Sequence, residues 1–140
     1  IDFNNFDIAI GSRLLKNSVV SNRKFLRTLT SKTYSLLTRL LFLSKIHDFQ
    51  CGFKIINKHT AKTLLPKIQD SGWFFDTELL LLAENKKFKI KEIPVNWTDD
   101  PDSKVNVIKT ILEDIKGLIR MRIWGLKIYD FISAFKSLIN

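Results

Sequence analysis

The sequence predicts a mixed fold of helices and strands, and three observations support this prediction. The predicted elements follow one another in the order β–α–β–α–α–β–α–α, which is typical of α/β or α+β domains. The chain has 140 residues, at most one ordinary domain, and 45% of them are hydrophobic, which is a globular composition. Only three segments have a convincing strand pattern, so we expect a thin sheet that belongs to a larger domain.

The first elements are predicted from residue alternation and helical spacing. Residues 6–12 alternate and end in Gly-Ser, which predicts a buried strand, and residues 13–21 are polar and predict a loop. Asn22 is predicted to cap a helix that runs to about Lys45. The apolar positions that share one face of this helix are Leu26, Leu29, Leu36, Leu37, Leu40 and Leu43.

The middle of the chain alternates short loops with helices and strands. We predict a loop over 46–52, a strand over 53–56, a short helix over 60–65 stopped by Pro66, a turn at 71–72, a buried helix over 75–84, a strand over 89–97 and an acidic turn over 98–103. Pro94 places the last of these strands at a sheet edge or at a bulge, because proline cannot donate to the ladder.

Residues 105–140 are predicted to form amphipathic helices after a first region over 1–104. Residues 107–122 place their apolar side chains on one stripe, and residues 123–139 mix aromatic side chains with charges. A membrane span needs about 20 mostly apolar residues, so a helix that lies in the membrane surface fits this segment better. Packing against the domain's own core or against a missing neighbour is an equal alternative.

The charge of the chain is concentrated in its first half. The net charge is +9, and the stretch from Arg13 to Lys67 holds twelve Lys or Arg residues and a single acid, Asp48. Such a block implies an anionic partner, namely phosphate groups, a lipid surface or nucleic acid, or else a solvated basic face. Cys51 is the single cysteine, which excludes an intramolecular disulfide, and two histidines argue against a His-built metal site.

Three acidic residues are candidates for chemistry. Asp48 lies alone among cations in a predicted loop, where it can orient a nucleophile, accept its proton or simply pair with an arginine. Asp76 and Glu78 stand at the start of a very apolar helix, where acids favour the helix N-terminus. Two carboxylates at a buried helix entry can also position a substrate hydroxyl or a basic side chain.

The basic candidates are typical of phosphate binding. Arg13 follows the end of a strand, which is where α/β sheets place ligands, and Arg23 and Arg27 lie one helical turn apart. The arginine side chain offers a planar fork of donors that suits phosphate. Ser103 can cap the following helix, and Lys104 can hold a phosphate.

Four segments together resemble family 2 glycosyltransferases, in particular the dolichyl-phosphate β-glucosyltransferase group and the related dolichyl-phosphate mannose synthases. They are Ile10-Gly-Ser-Arg13, Asp48-Phe-Gln-Cys-Gly-Phe-Lys54, Trp73-Phe-Phe-Asp-Thr-Glu-Leu-Leu80, and Ile93-Pro-Val-Asn-Trp-Thr98 with Ser103-Lys104. The resemblance covers residues 6–122. One departure is Gly72, where the family often has a basic residue.

The resemblance implies the C-terminal portion of a GT-A fold, followed by the amphipathic helices. Residues 1–104 would be its acceptor-side half, and 105–140 the membrane-surface segment. The family's Asp-x-Asp motif, which holds a divalent Mg or Mn ion and the diphosphate, is expected upstream of Ile1. This piece alone is therefore expected to be inactive.

The resemblance also implies an inverting transfer of a sugar to polyprenyl or dolichyl phosphate at the cytoplasmic face of a membrane. The sugar would be glucose from UDP-glucose, and nucleic acid is not an expected partner. Asp48 would orient the acceptor or act as base. The other implied contacts are Arg13, Arg27 and Arg23 to the acceptor phosphate, Lys54, Ser103 and Lys104 to the phosphates, and Asp76 and Glu78 to the acceptor and sugar pocket. The alternative is a non-catalytic basic module that binds anionic membrane or nucleic acid.

Overall fold

The computed structural model describes residues 5–100 and 107–125, and within them it contains five strands and four α-helices. The strands are β1 (Ile8–Ser12), β2 (Val19–Ser21), β3 (Lys54–Ile56), β4 (Ile90–Pro94) and β5 (Asn96–Thr98). The helices are α1 (Phe25–Phe42), α2 (Lys58–Leu64), α3 (Phe75–Asn85) and α4 (Val107–Arg120). A 3-10 turn over Leu65–Lys67 follows α2, and a π-helical turn over Met121–Gly125 follows α4. The predicted mixture of helices and strands is confirmed.

The described strands form two small sheets. In the first, β1 lies between β3, which is antiparallel to it, and β4, which is parallel to it. Ile8 stands opposite Ile56 on one side and Ile90 on the other. The second sheet pairs β2 with β5 in parallel. Gly11 of β1 has no room for a side chain, because an added Cβ would lie 2.8 Å from Cγ1 of Val95.

Two strand predictions need correction. Residues 13–21 were expected to be a loop, but β2 forms there because β5, far along the chain, supplies its partner. The strand expected over 89–97 is two strands, β4 and β5, that lie in different sheets. Pro94 ends β4, which is an edge strand of the described three-stranded sheet, and the prediction of an edge position is confirmed.

The hydrophobic core lies between β1 and α3. Helix α3 is buried along most of its length, as its nearly continuous apolar run predicts. The packing against it comes from β1, from the loop before β3 and from α4. The buried core residues are Ile8, Ile10, Ile46, Phe49, Leu64, Phe74, Leu79, Leu80, Leu81, Leu82, Ala83, Leu118 and Met121. This core fixes the end of β1, from which Arg13 projects.

Helix α1 begins later than predicted. Asn22 does not cap it, because its backbone is left-handed with φ of 56° and the helix starts at Phe25. Lys24 occupies the N-cap position and makes no side-chain capping bond. The helix ends at Phe42, where Leu43 adopts a left-handed conformation.

Helix α1 also packs with the opposite face from the one its apolar stripe predicts. Its buried residues are Ser35 and Thr38, whereas Leu40 is 68% exposed. Two hydrogen bonds hold this polar face against the rest of the domain. Ser35 donates to the carbonyl of His47, and the hydroxyl of Tyr34 bonds the hydroxyl of Thr77. The exposed leucines of this helix are Leu26, Leu29, Leu36, Leu37, Leu40 and Leu41.

Helix α4 repeats this arrangement. Its described buried residues include Asp114, Gly117 and Leu118, followed by Met121 in the π-helical turn. Most of its predicted apolar stripe is exposed, namely Ile108, Ile111, Leu112, Ile115 and Ile119. Among the described residues, no helix is both long and apolar enough to cross a membrane. The helix predicted over 123–139, the acidic turn beyond Asp100 and the boundary at 104 fall largely or wholly outside the described residues.

Candidate functional site

A cavity of about 610 Å³ lies between α1, α4 and the loops that follow β1 and α1. This volume falls in the range of small-molecule sites, about 300–1,000 Å³. Its wall combines apolar side chains of the two helices with charged groups from the loops. Its polar and aromatic lining residues include Arg13, Arg23, Arg27, Tyr34, Gln50, Trp73, Asp76, Trp97 and Asp114.

Arg13, which lines this cavity, forms a buried ion pair with Asp48 behind it. Arg13 Nε lies 2.8 Å from Asp48 Oδ2, and Arg13 Nη2 lies 3.0 Å from Oδ1. The backbone N–H of Arg13 also donates to Oδ2 at 2.9 Å. Both side chains are less than 10% exposed. This two-pronged contact fixes the guanidinium plane as well as its position.

The pair shifts the titration of both partners. Burial disfavours the charged form of Asp48, but the hydrogen bonds and charge of Arg13 outweigh it, so the pKa of Asp48 is lowered. Burial likewise works against the charge of Arg13, yet Asp48 raises the pKa of Arg13 overall. Asp48 is therefore a carboxylate with both oxygens bonded, which makes it a poor proton acceptor.

Glu92 of β4 holds the loop that carries Asp48. Its carboxylate accepts the backbone N–H groups of His47 and Asp48 at 3.0 and 3.1 Å, and His47 Nδ1 lies 2.7 Å from Oε2. The loop thus gains fixed partners for backbone groups that no strand satisfies. The sequence alone indicated neither Glu92 nor its hydrogen bonds to this loop.

Arg23 and Arg27 converge on Asp99, a buried residue that sequence reasoning did not select. Arg27 Nη1 lies 3.2 Å and Arg23 Nε 3.7 Å from Asp99 Oδ2, while Trp97 Nε1 donates to Oδ1 at 2.8 Å. The guanidinium of Arg13 lies 5.5 Å from the Trp97 ring centre, a cation–π arrangement. The structure therefore brings the three predicted arginines together, and we call Arg13, Arg23 and Arg27 the arginine cluster.

Arg23 is the least satisfied member of the arginine cluster. Its side chain is 6% exposed, and its Nη2 donates to Ser31 at 2.5 Å. Its Nε is buried and has no hydrogen-bond partner within the described part of the chain. Burial, together with the positive charge of Arg13, lowers the pKa of Arg23. A bound anion would relieve both costs.

Asp76 and Lys54 pair with each other. Lys54 Nζ lies 2.7 Å from Asp76 Oδ2 and also donates to the carbonyl of Cys51. The phosphate contact of Lys54 stays a prediction. The ammonium of Lys54 bonds Asp76, and Asp76 rather than Lys54 lines the cavity.

Glu78 lies away from the cavity that it was expected to shape. It is 4% exposed and accepts the backbone N–H groups of Gln69 and Asp70, with Arg120 Nη2 at 2.7 Å. These bonds join the loop before α3 to α4. The structure therefore gives Glu78 a structural position, and its predicted contact with the acceptor or sugar has no geometric support.

A further carboxylate, Asp114 of α4, lines the cavity. Gln50 Nε2 donates to its Oδ2 at 2.6 Å, and the backbone N–H of Gln50 donates to Asp48. Asp114 is 3% exposed, and burial raises its pKa to about 6. Neither the charge pattern nor any motif distinguishes Asp114 in the sequence, because its helix carries other charges at similar spacing.

Ser103 and Lys104 lie outside the described residues, so their predicted roles stay predictions. Among residues 5–100 and 107–125, no group of three His, Cys, Asp or Glu side chains could hold a metal ion. The carboxylates in and around the cavity wall instead each contact an arginine, lysine or glutamine side chain; they are Asp48, Asp76, Asp99 and Asp114.

Comparison with known proteins identifies relatives of one kind. The chain is 33% identical over 135 residues to the dolichyl-phosphate beta-glucosyltransferase of Dictyostelium discoideum, covering 91% of this chain and 41% of that protein. The Drosophila melanogaster enzyme of the same name is 41% identical over 99 residues, covering 70% and 30%. Glycosyltransferase AglD of Haloferax volcanii is 36% identical over 107 residues, covering 76% and 17%.

This chain is a relative of the dolichyl-phosphate beta-glucosyltransferases. The resemblance to family 2 glycosyltransferases that the four segments predict is thereby confirmed. No family model matches the chain. The chain spans less than half of the length of these curated relatives, which agrees with the predicted fragment. The relatives are named as glycosyltransferases, so the enzyme class predicted from the sequence is confirmed at the level of the family.

Proposed function

We propose that this chain is the acceptor-side portion of an inverting GT-A glycosyltransferase that transfers glucose from UDP-glucose to dolichyl or polyprenyl phosphate. The relationship to enzymes named for dolichyl phosphate supports the acceptor class. The observation that carries the proposal is the arginine cluster, which gathers three guanidiniums in one cavity wall around two carboxylates. An excess of buried cations beside a small-molecule cavity is a site for an anion.

The reaction needs cations more than it needs a base. A phosphate monoester has a second pKa near 6, so it is largely ionised at neutral pH and is already a nucleophile. It must be held in line with the anomeric carbon beside a donor that is itself anionic. Arg27, which is 31% exposed, and Arg23, whose Nε makes no hydrogen bond within the described residues, are the cluster members that line the cavity with donors left for such a phosphate.

Asp48 serves this site by positioning Arg13. Its lowered pKa and its fully bonded oxygens disfavour proton transfer, whereas its two contacts hold Arg13 in one orientation. We therefore assign Asp48 to the ordering of the arginine cluster rather than to general base catalysis. Asp76, paired with Lys54, contributes a polar patch to the same wall.

The metal that the resemblance implies does not fit the described residues, since they offer no group of three ligands. We propose that an upstream Asp-x-Asp motif holds it, and no step described for this chain passes through it. We further propose that the intact protein works at the cytoplasmic face of a membrane, with the exposed apolar sides of α1 and α4 toward the lipid.

The test is a transfer assay with the intact protein, radiolabelled UDP-glucose and dolichyl phosphate in detergent. We expect labelled lipid in the wild type and a loss of about 10- to 100-fold in kcat/KM for Arg27→Gln, the value of a charged hydrogen bond. The matched control is Lys32→Gln, which removes the same charge from an exposed position of the same helix.

Equal activity of Arg27→Gln and Lys32→Gln would show that Arg27 does not contribute to the binding of the phosphate. No transfer by the folded wild type from any nucleotide sugar would overturn the proposed activity. In that case the basic-module alternative predicts binding to anionic vesicles or nucleic acid that weakens steeply as salt rises.

A further inference from the structure

Asp114 offers an acceptor atom that the described chain does not use. Its Oδ2 is bonded to Gln50, but its Oδ1 is buried and has no hydrogen-bond partner among the residues that the structure describes. The residue is 3% exposed and lines the same cavity as the arginine cluster. A buried carboxylate oxygen without a partner is costly, so its presence in a cavity wall points to a ligand group.

The surroundings of Asp114 restrict what that group can be. The charges that act on it are the carboxylates of Asp70, from the loop before α3, and Glu113 of α4. Tyr34 of α1 lines the same cavity as a neutral phenol, since burial raises the pKa of its hydroxyl. A metal ion is disfavoured because no group of three ligand side chains exists in the described chain. A ligand attracted by the arginine cluster is anionic, so the part of it that meets the Asp114 carboxylate must be an uncharged hydrogen-bond donor such as a hydroxyl.

We propose that Asp114, oriented by Gln50, binds a hydroxyl of the transferred sugar through its unpartnered Oδ1. This inference rests on the proposed function, in which the cavity receives both a phosphate and a sugar. The lipid phosphate acceptor consists of a phosphate and a hydrocarbon chain, so the hydroxyl groups come from the donor. We assign Asp114 to the glucose of that donor rather than to its ribose, and deoxyglucose analogues of UDP-glucose test this choice. Asp114 is then a specificity-determining residue in α4, outside the four segments that carry the family resemblance.

The test is a binding cycle with the intact protein. UDP-glucose and its four analogues that each lack one glucose hydroxyl are titrated calorimetrically into the wild type and into Asp114→Asn. We expect one analogue to bind the wild type about 10- to 100-fold more weakly than UDP-glucose, the value of a hydrogen bond to a charged acceptor. That penalty should shrink to less than about threefold in Asp114→Asn, since Gln50 retains the amide oxygen and leaves the amide NH2, which cannot accept a hydrogen bond, toward the cavity.

The matched control is Glu113→Gln, which removes the same charge from the neighbouring position of α4 without altering the cavity wall. It should keep the wild-type penalties. Penalties that are equal in Asp114→Asn and in the wild type would overturn the inference while leaving the proposed function intact. A wild type that binds no UDP-glucose would overturn both. A wild type that binds it but transfers nothing to dolichyl phosphate would overturn only the proposed reaction.

A second readout separates binding from folding. The raised pKa of Asp114 means that its charged form destabilises the fold above about pH 6, and that this cost disappears below about pH 4. Asp114→Asn should therefore unfold at a higher urea concentration than the wild type at pH 8, with the difference vanishing near pH 4. If Asp114→Asn is more stable than the wild type yet binds UDP-glucose more weakly, the carboxylate of Asp114 has a functional role. A lower urea midpoint at pH 8 would assign Asp114 a structural role and overturn the inference.

Discussion

The carboxylate of Asp48 accepts three hydrogen bonds from Arg13 and one from the backbone of Gln50. This number of bonds explains why a buried charge is tolerated there. Removing one member of such a pair strands the other without a partner, which is more costly than removing both. The pair thus makes the position of Arg13 depend on Asp48.

Asp48→Asn should lower the free energy of unfolding by about 3–5 kcal/mol, the usual cost of leaving a buried charge unpaired. Urea unfolding followed by circular dichroism would measure it for Asp48→Asn, Arg13→Met and the double variant. The double variant should lose less than the sum of the single losses. Strict additivity would contradict the pairing. Because the pKa of Asp48 is lowered, the loss should fade as the pH falls below about 4.

Residue roles could be predicted only where local sequence carries them. The basic block indicates an anionic partner, and three arginines selected from it, Arg13, Arg23 and Arg27, meet in one cavity wall. It does not predict Asp99 or Asp114, because their partners lie on other elements, far away along the chain. The hydrogen bond between Glu78 and Arg120 could not be predicted from the sequence either, since only the packing of α4 against α3 brings those residues together.

At the scale of elements, α4 is attached to the domain by a narrow line of contacts. Asp114 bonds Gln50, Gly117 lies against Phe74, and Arg120 bonds Glu78. These positions are three residues apart and therefore share one face of the helix. The attachment combines these polar bonds with the buried side chains of Leu118 and Met121. Gly117 permits it because its backbone lies directly on the Phe74 ring.

Gly117→Ala should weaken this attachment. The added methyl carbon would lie 2.3 Å from Cγ of Phe74, whose ring is fully buried and cannot move cheaply. We expect a loss of about 1–3 kcal/mol, typical of overpacking, and faster amide hydrogen exchange in α4 than in α3. Gly72→Ala is the control, since its nearest contact would be an ordinary 3.5 Å. Equal stability of the two variants would contradict the close packing.

Elements with strong local patterns were predicted well and those that depend on partners were not. β1 and α3 follow from an alternating and a continuous apolar run, respectively. β2 has three residues and exists because β5 pairs with it. The face of α1 was predicted wrongly because hydroxyl groups, through Ser35 and Tyr34, rather than leucines make its contacts.

At the scale of the whole molecule, two helices present apolar faces beside one cavity. Leu29 and Leu37 of α1 and Ile111 and Ile115 of α4 line that cavity, and all four are at least partly exposed. The apolar surface therefore continues from the helix faces into the cavity wall. A lipid tail can follow this surface while its phosphate remains at the arginine cluster.

Leu40→Glu should reduce the association of the intact protein with vesicles of phosphatidylcholine and phosphatidylserine. Burying a leucine side chain contributes about 1.5–3 kcal/mol, so the vesicle-bound fraction in a flotation assay should fall markedly. The control is Leu65→Glu, which alters another exposed leucine, 46% exposed, outside α1 and α4. Identical flotation of the two variants would exclude the α1 face from membrane contact.

Gln50 has a consequence for the affinities of the two proposed substrates. Its backbone holds Asp48, which orients Arg13, and its side chain holds Asp114. One residue thus joins the proposed phosphate-binding and sugar-binding parts of the wall into a single hydrogen-bonded chain. Ordering either part orders the other in advance, so donor and acceptor should bind synergistically. By thermodynamic reciprocity, each would then raise the affinity for the other by the same factor.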